Sequence, residues 1–358
     1  MDLKEIGWDT HYSKIKDTLS TELELIAGRV TSFSGKHYWV ICEKGEILGI
    51  LSNSYLSKIE DKSDIPAVGD WVGLEKINSL DLYHIRYLFP RKNKLSRKAS
   101  GKTSEEQIIA SNIDIVFIVT SLDNDFNMKR LERYLSLAYT INAKPVIILN
   151  KIDKVDDVEH YIEHVKKISD EVVIIPICAK SGVGLDSITP FCGPGTTSVL
   201  IGSSGVGKST IINQLLGCKR QLTGETRKCD DKGRHVTSSR QLFVLPNGGA
   251  IIDNPGIREL QLWFHGKGLE RQFEDIEILS KMCKFRDCKH DDEPGCAVRE
   301  AVELGKISKD HLDNYSKLLK EREYLNLRRS TYERRAKDRK LSKMYRKGKD
   351  IRRFKGEK

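Results

Sequence analysis

Nowhere in the 358 residues is there a run of about eighteen apolar residues, the length a helix needs to cross a bilayer, so no membrane span is expected. The first residues, "MDLKEIGWDTHYSKIK", are charged and lack the apolar core of a secretory signal. A disulfide framework is missing too. Cysteines 42, 178, 192, 218 and 229 are scattered, as expected of small buried hydrophobes in a reducing compartment; only 283, 288 and 296 lie close together. These absences exclude membrane and secreted disulfide-rich classes and lead us to expect a cytoplasmic protein. Its length allows two or three domains, each with its own core.

Charge is unevenly spread. The net charge is +10, yet residues 319–358 alone hold 17 Lys and Arg against 6 Asp and Glu, a surplus of 11, so the rest is near neutral. In "LRRSTYERRAKDRKLSKMYRKGKDIRRFKGEK" the cations alternate with Tyr332, Tyr345 and Phe354. A solvated helix needs no such surplus, whereas phosphate contacts do, and RNA is the expected partner of this tail.

Along the chain, five short β-branched and aromatic runs, "LELIAGRV", "KHYWVICE", "EILGIL", "DWVGLEKI" and "DLYHIRYLF", occupy the stretch before residue 90. They predict a small barrel, with an oligonucleotide-binding type, a Src-homology-like barrel and a sandwich all compatible. No clear period appears in residues 1–20. "PRKNKLSRKASGKTSEEQ" (90–107) is polar and basic and is expected to link domains. From "IDIVFIVTS" (113–121) onward, apolar strands alternate with amphipathic helices, which predicts an α/β unit around a largely parallel sheet. After 265 only helical patterns remain.

The chemistry lies in that α/β unit. "GSSGVGKS" follows the apolar run "TSVLI" and opens a helix, the full context of a phosphate loop. Gly202, Gly205 and Gly207 allow backbone N–H groups to curl round phosphates, with Ser203, Ser204, Val206 and Thr210 completing the loop. Lys208 is expected to reach the β- and γ-phosphates and Ser209 to ligate Mg²⁺. Downstream, "AIIDNPG" places Asp253 at a strand end, where it can face Mg²⁺, and Gly256 where its N–H can sense a γ-phosphate. The hydrophilic segment 224–241 between them suits a switch, with Thr237, or its neighbour Ser238, as the hydroxyl that closes on Mg²⁺. An inert surface loop is the other reading.

One motif is out of order. "VIILNKIDKVDD" carries Asn150, Lys151 and Asp153 in the pattern that marks a guanine pocket, but about fifty residues ahead of the phosphate loop rather than after it. Farther on, "CKFRDCKHDDEPGC" sets Cys283, Cys288, His290 and Cys296 at intervals of five, two and six. Three thiolates and an imidazole make a closed tetrahedral Zn²⁺ set, although the spacing is not that of paired C-x-x-C knuckles.

Taken together, NKID, "CAK" at 178–180, the phosphate loop at 202–210, "GRHVT" near 237 and "DNPGIRE" from 253 resemble the circularly permuted ribosome-assembly GTPases of the RsgA (YjeQ) family. The resemblance covers nearly the whole chain, and the terminal cysteines share the family's zinc spacing. It implies an oligonucleotide-binding barrel over 1–90, a basic linker over 91–107, a permuted GTPase domain over 108–265, a helical zinc-binding domain over 266–330 and a basic tail over 331–358. It implies a GTPase stimulated by the small (30S) ribosomal subunit and its 16S rRNA, late in subunit maturation, with one structural Zn²⁺ per chain. By the same resemblance Asn150 and Asp153 read guanine, Lys151 packs along the base, and Cys178, Ala179 and Lys180 line its other side. The family more often has Ser at position 178. Nothing in the sequence demands a dimer, and a monomer is expected.

Ras-like GTPases orient the attacking water with a glutamine after D-x-x-G; here that position is Ile257. His235, beside Thr237, is the candidate to position water or act as a base, unless it binds RNA or is simply exposed. A nucleotide-gated RNA-binding switch that hydrolyses GTP only to reset itself is the alternative to an assembly GTPase. A metabolic kinase is a remoter option.

Overall fold

The computed structural model describes residues 1–19, 24–77, 82–98, 106–123, 125–217, 240–254 and 267–327. His235, Thr237, Ser238, Gly256, Ile257 and the tail over 331–358 therefore lie outside the described residues. No described helix is long and apolar enough to cross a membrane.

The aperiodic start of the chain is folded. A 3₁₀ turn, Leu3–Ile6, precedes α1 (Thr10–Leu19), and Ile6 and Tyr12 are fully buried. Strands β1 (Ile26–Ser34), β2 (His37–Cys42) and β3 (Gly45–Leu51), helix α2 (Asn53–Leu56), and strands β4 (Trp71–Lys76) and β5 (Leu82–Leu88) follow. The strands close into a barrel in the order β1-β2-β3-β5-β4, with β3 and β5 parallel. A sandwich is thereby ruled out, and the five-stranded closed order fits the oligonucleotide-binding type. Alternate residues point inward: Tyr38, Val40 and Cys42 are buried, and Val40 joins Val30, Val72, Leu74 and Ile85 in the interior. Leu3, Ile6, Tyr12, Trp71 and Phe89 form a second, smaller core outside it.

The stretch 91–107, expected as a linker, carries β6 (Lys94–Lys98), which pairs antiparallel with β7 (Glu106–Ser111). Polar side chains pair across it, Lys94 Nζ meeting Glu106 Oε2 at 2.9 Å and Arg97 Nε donating to Gln107 Oε1 at 2.9 Å, while Leu95, Ser96 and residues 108–111 are buried.

The α/β unit contains β8 (Ile115–Ser121), α3 (Met128–Thr140), β9 (Lys144–Asn150), α4 (Val158–Lys166), β10 (Val173–Ile177), β11 (Thr197–Ile201), α5 (Lys208–Leu215), β12 (Gln241–Val244) and β13 (Ala250–Asp253). The sheet order is β10-β9-β8-β11-β13-β12, parallel except for β12. Both faces are covered: Val116 and Ile118 of β8 belong to one core, Phe117 and Val119 to the other. Starting from the phosphate-loop strand β11, the chain builds one half of the sheet through β12 and β13. The other half, β8 to β10, precedes it in sequence and lies on its opposite side. The rotated motif order is thus a rotated starting point of an otherwise continuous doubly wound sheet.

A buried arginine fastens barrel to sheet. Arg29 donates to the carbonyls of Gly69 (3.0 Å), Asn112 (3.2 Å) and Ile6, and to Thr197 Oγ1 (2.7 Å) at the start of β11. Burial lowers its pKa to about 10, so its charge persists at neutral pH.

Beyond the sheet come α6 (Gly268–Gln272), α7 (Glu274–Ser280), α8 (Ala297–Glu303) and a helix over 309–327. They have little core of their own. Phe273, Leu312, Tyr315 and Leu318 join the α3 residues Leu131, Leu135 and Ala138 in one cluster. The junction is also polar: buried Glu132 accepts from Asn314 Nδ2 and contacts His311 Nδ1, and Arg133 makes two bonds to Glu321, 2.8 and 2.6 Å.

Candidate nucleotide site and metal cluster

Five strand ends carry the candidate residues, all at the carboxyl edge of the parallel sheet where β11 separates its two halves. Ligands of open α/β sheets bind in the crevice at such a point. The fully buried strand β11 delivers the phosphate loop to this edge. Gly202 and Gly207 are needed for room as well as conformation. At φ 149° and 100°, a Cβ on Gly202 would collide with the Val119 carbonyl and one on Gly207 with the Asn150 amide. Gly207 caps α5, whose first turn presents Lys208 and the half-buried Ser209 and Thr210.

Lys208 is buried, and its Nζ donates to the carbonyls of Gly202 (2.7 Å) and Ser203 (2.5 Å). Burial lowers its pKa to about 8, against the opposing charges of Asp253 and Asp125. Asp253, at the end of β13, is buried as well; burial raises its pKa while Lys208 opposes the shift. Each group thus makes the other's charge tolerable.

Asn150, at the end of β9, ties three motifs together. Its Nδ2 donates to the Val206 carbonyl at 2.7 Å, and its Oδ1 accepts from the Ala179 N–H at 3.0 Å. NKID, CAK and phosphate loop are therefore cross-braced by one side chain. Lys151 turns the chain out of the strand in the left-handed region (φ 63°) and pairs with Asp123 Oδ2 at 2.7 Å. The bond from Lys151, followed by those from Ser121 and the Asp125 N–H, draws Asp123 down to about 2. Exposed Asp153 accepts from the Cys178 thiol at 3.1 Å, which is the leading cause of its lowered pKa. The Cys178 side chain thus contacts the NKID motif directly. Ala179 is buried and Lys180 exposed beside it.

Sequence reasoning missed Asp123, Asp125 and Arg130. The signal was the polar run "SLDND" that ends the apolar strand β8 at the same edge of the sheet.

Away from this edge, Cys283, Cys288, His290 and Cys296 place their ligand atoms within 4.8 Å of one another. The Cys283 Sγ–Cys296 Sγ, Cys283 Sγ–His290 Nδ1 and His290 Nδ1–Cys296 Sγ distances are 3.9, 3.7 and 3.4 Å. A tetrahedral ion with Zn–S bonds of about 2.3 Å needs edges of roughly 3.7 Å, so the cluster fits such an ion. The Arg299 N–H points at Cys296 Sγ (3.5 Å) and helps fix its position.

The RsgA GTPase family pattern matches residues 88–263. The small ribosomal subunit biogenesis GTPase RsgA of Methanosarcina acetivorans is 44% identical over 299 residues, 83% of this chain and 79% of that protein. RsgA 2 of Vibrio vulnificus is 43% identical over 348 residues, 96% and 94% of the two chains. Among solved structures, YjeQ from Thermotoga maritima superposes with a TM-score of 0.61 at 25% identity, covering 83% of this chain and 98% of that one. YloQ, described as a circularly permuted GTPase, shares the fold with a TM-score of 0.58 at 24% identity, covering 84% and 96%. Motif order, sheet order and these likenesses agree: the chain belongs to the RsgA family of circularly permuted, GTP-hydrolysing enzymes.

Proposed function

We propose that this protein hydrolyses GTP to GDP and phosphate on the small ribosomal subunit, in contact with its 16S rRNA, during late maturation of that subunit. The observation that carries the reading is the convergence of NKID, CAK and phosphate loop, tied together through Asn150, on the sheet edge that also carries Asp253. Relatives over nearly the whole chain bear the name small ribosomal subunit biogenesis GTPase, which supplies the partner. The barrel and the basic tail are the expected RNA surfaces, and the work belongs in the cytoplasm, where subunits mature. The protein acts as a monomer.

In this reading Asp153, restrained by Cys178, accepts both guanine N–H donors, a pairing adenine does not offer. Asn150 holds the pocket walls, with Lys151, Ala179 and Lys180 alongside the base. The N–H groups of residues 202–210 and the Lys208 ammonium hold the phosphates. Ser209, Asp253 and Thr237 hold Mg²⁺, which when bound neutralises charge on the β- and γ-phosphates. Gly256 senses the γ-phosphate, and His235 positions the attacking water, since Ile257 has no group to do so. Cys283, Cys288, His290 and Cys296 hold one structural Zn²⁺ with no ligand position left for chemistry.

Comparing GTP turnover with and without purified small subunits tests the assignment, with strong stimulation expected. If subunits bind in a GTP-dependent way but leave turnover unchanged, the second reading, a nucleotide-gated RNA switch, takes its place. Ile257 is the feature that favours that second reading.

A further inference from the structure

Helix α3 breaks a local rule beside the phosphate loop. Its first turn contains no acid but does contain Lys129 and Arg130, the wrong sign for a helix N-terminus. Lys129 is compensated at a distance by Asp310, 2.8 Å away. Arg130 instead turns toward the sheet edge. Its Nη1 donates to Asp125 Oδ1 at 2.5 Å and to the hydroxyl of Ser203, the second residue of the phosphate loop.

Asp125 needs that partner. Its other oxygen, Oδ2, is buried with no hydrogen-bond partner among the described residues. It also lies close enough to Lys208 for its charge to act on the ammonium. A carboxylate so placed opposes any polyphosphate entering the loop. The helix carrying Arg130 has little freedom: Asn127 caps it through the Arg130 N–H at 3.0 Å, and Glu132 is locked by His311 and Asn314.

We propose that Arg130 is a positioning residue of the phosphate loop, which fixes the Ser203 arm and cancels the Asp125 charge so that the loop meets the triphosphate of GTP with its full positive field. The inference rests on the nucleotide reading above. It concerns binding and discrimination between GTP and GDP rather than proton transfer, because the guanidinium is engaged with the loop's side chain and not with the reacting oxygen. The extra charge of GTP makes it the more sensitive of the two nucleotides.

The test is the affinity of the full chain for a non-hydrolysable GTP analogue and for GDP, at low and high salt, in four proteins: wild type, Arg130→Met, Asp125→Asn and the double variant. Arg130→Met should bind the analogue roughly tenfold more weakly at low salt, with a smaller loss for GDP and a reduced loss at high salt. Asp125→Asn in the same chain should restore most of the loss, and Asp125→Asn alone should tighten the analogue. Unchanged affinity in Arg130→Met overturns the proposal. So does an equal loss for both nucleotides that Asp125→Asn does not restore, the result expected of a merely structural arginine. If Arg130→Met does not fold, Asp125→Asn alone decides: weaker analogue binding overturns the idea, and tighter binding supports it. A wild type that binds no guanine nucleotide sinks the nucleotide reading itself, an outcome distinct from all of these.

Discussion

At the phosphate loop, side chains from five strand ends meet because a six-stranded sheet, with a core on each face, holds those ends together. At the metal cluster, four ligands between Cys283 and Cys296 meet between two helices of seven residues each. The first site is prearranged by a scaffold and needs no ligand to exist. The second must supply much of its own scaffold, because helices so short bury little, and an ion held by the four ligands would replace the missing core. The two sites should therefore respond differently to loss of what they bind. Between them lies α3, with Arg130 on the phosphate loop and Glu132 and Arg133 on the helix over 309–327.

The sharpest way to break the comparison is removal of the metal. Structural Zn²⁺ can supply roughly 10 kcal/mol or more of folding free energy. A strong chelator, or Cys288→Ser, should unfold the region around the cluster while the sheet remains folded and still binds GTP. Hydrogen exchange on both regions checks this, and protection that persists around Cys283–Cys296 after metal loss would falsify a structural ion. A smaller, chemically selective effect is expected at the base pocket. Asp153→Asn should weaken GTP by roughly a hundredfold and favour xanthosine triphosphate, with the fold intact because Asp153 is exposed. Competition binding with the two nucleotides reads the outcome, and an unchanged preference removes Asp153 from guanine recognition.

The smallest effect concerns the join. Burial disfavours the charged form of His311, but its bonds to Asp275 and Glu132 prevail and hold the pKa at about 9. A folded pKa above the unfolded value of about 6.5 gives stability that is complete below that pH and lost as pH rises through about 9. Thermal unfolding between pH 7 and 10 should show this loss in wild type but not in His311→Gln. Equal slopes in both proteins would place the pH response elsewhere.

Much of the nucleotide face was legible in the sequence because phosphate and base recognition demand particular residues at fixed spacing. The phosphate-loop glycines, Lys208 and NKID are readable wherever in the chain they fall. The five barrel strands were legible too, from β-branched and aromatic alternation, but their closure order was not, since several folds share that local signal. The ribbon β6–β7 was hidden because charged and polar residues dominate the composition of 91–107, while the apolar run that completes it, Ile108 to Ala110, lies beyond that stretch. Arg130 and Asp125 were invisible as a pair: their bond depends on how α3 leaves β8.

The sequence by itself determined which candidate ligand groups the chain carries, since each motif is a few residues close together. It also determined the rotated order of the domain, since order is a property of sequence. Only the tertiary structure decided that Asn150 braces three motifs, that Cys178 restrains Asp153, and that the C-terminal helices share the core of α3. Those are contacts between residues tens to hundreds of positions apart, and their geometry follows from how the sheet and its cores pack, which no local pattern encodes.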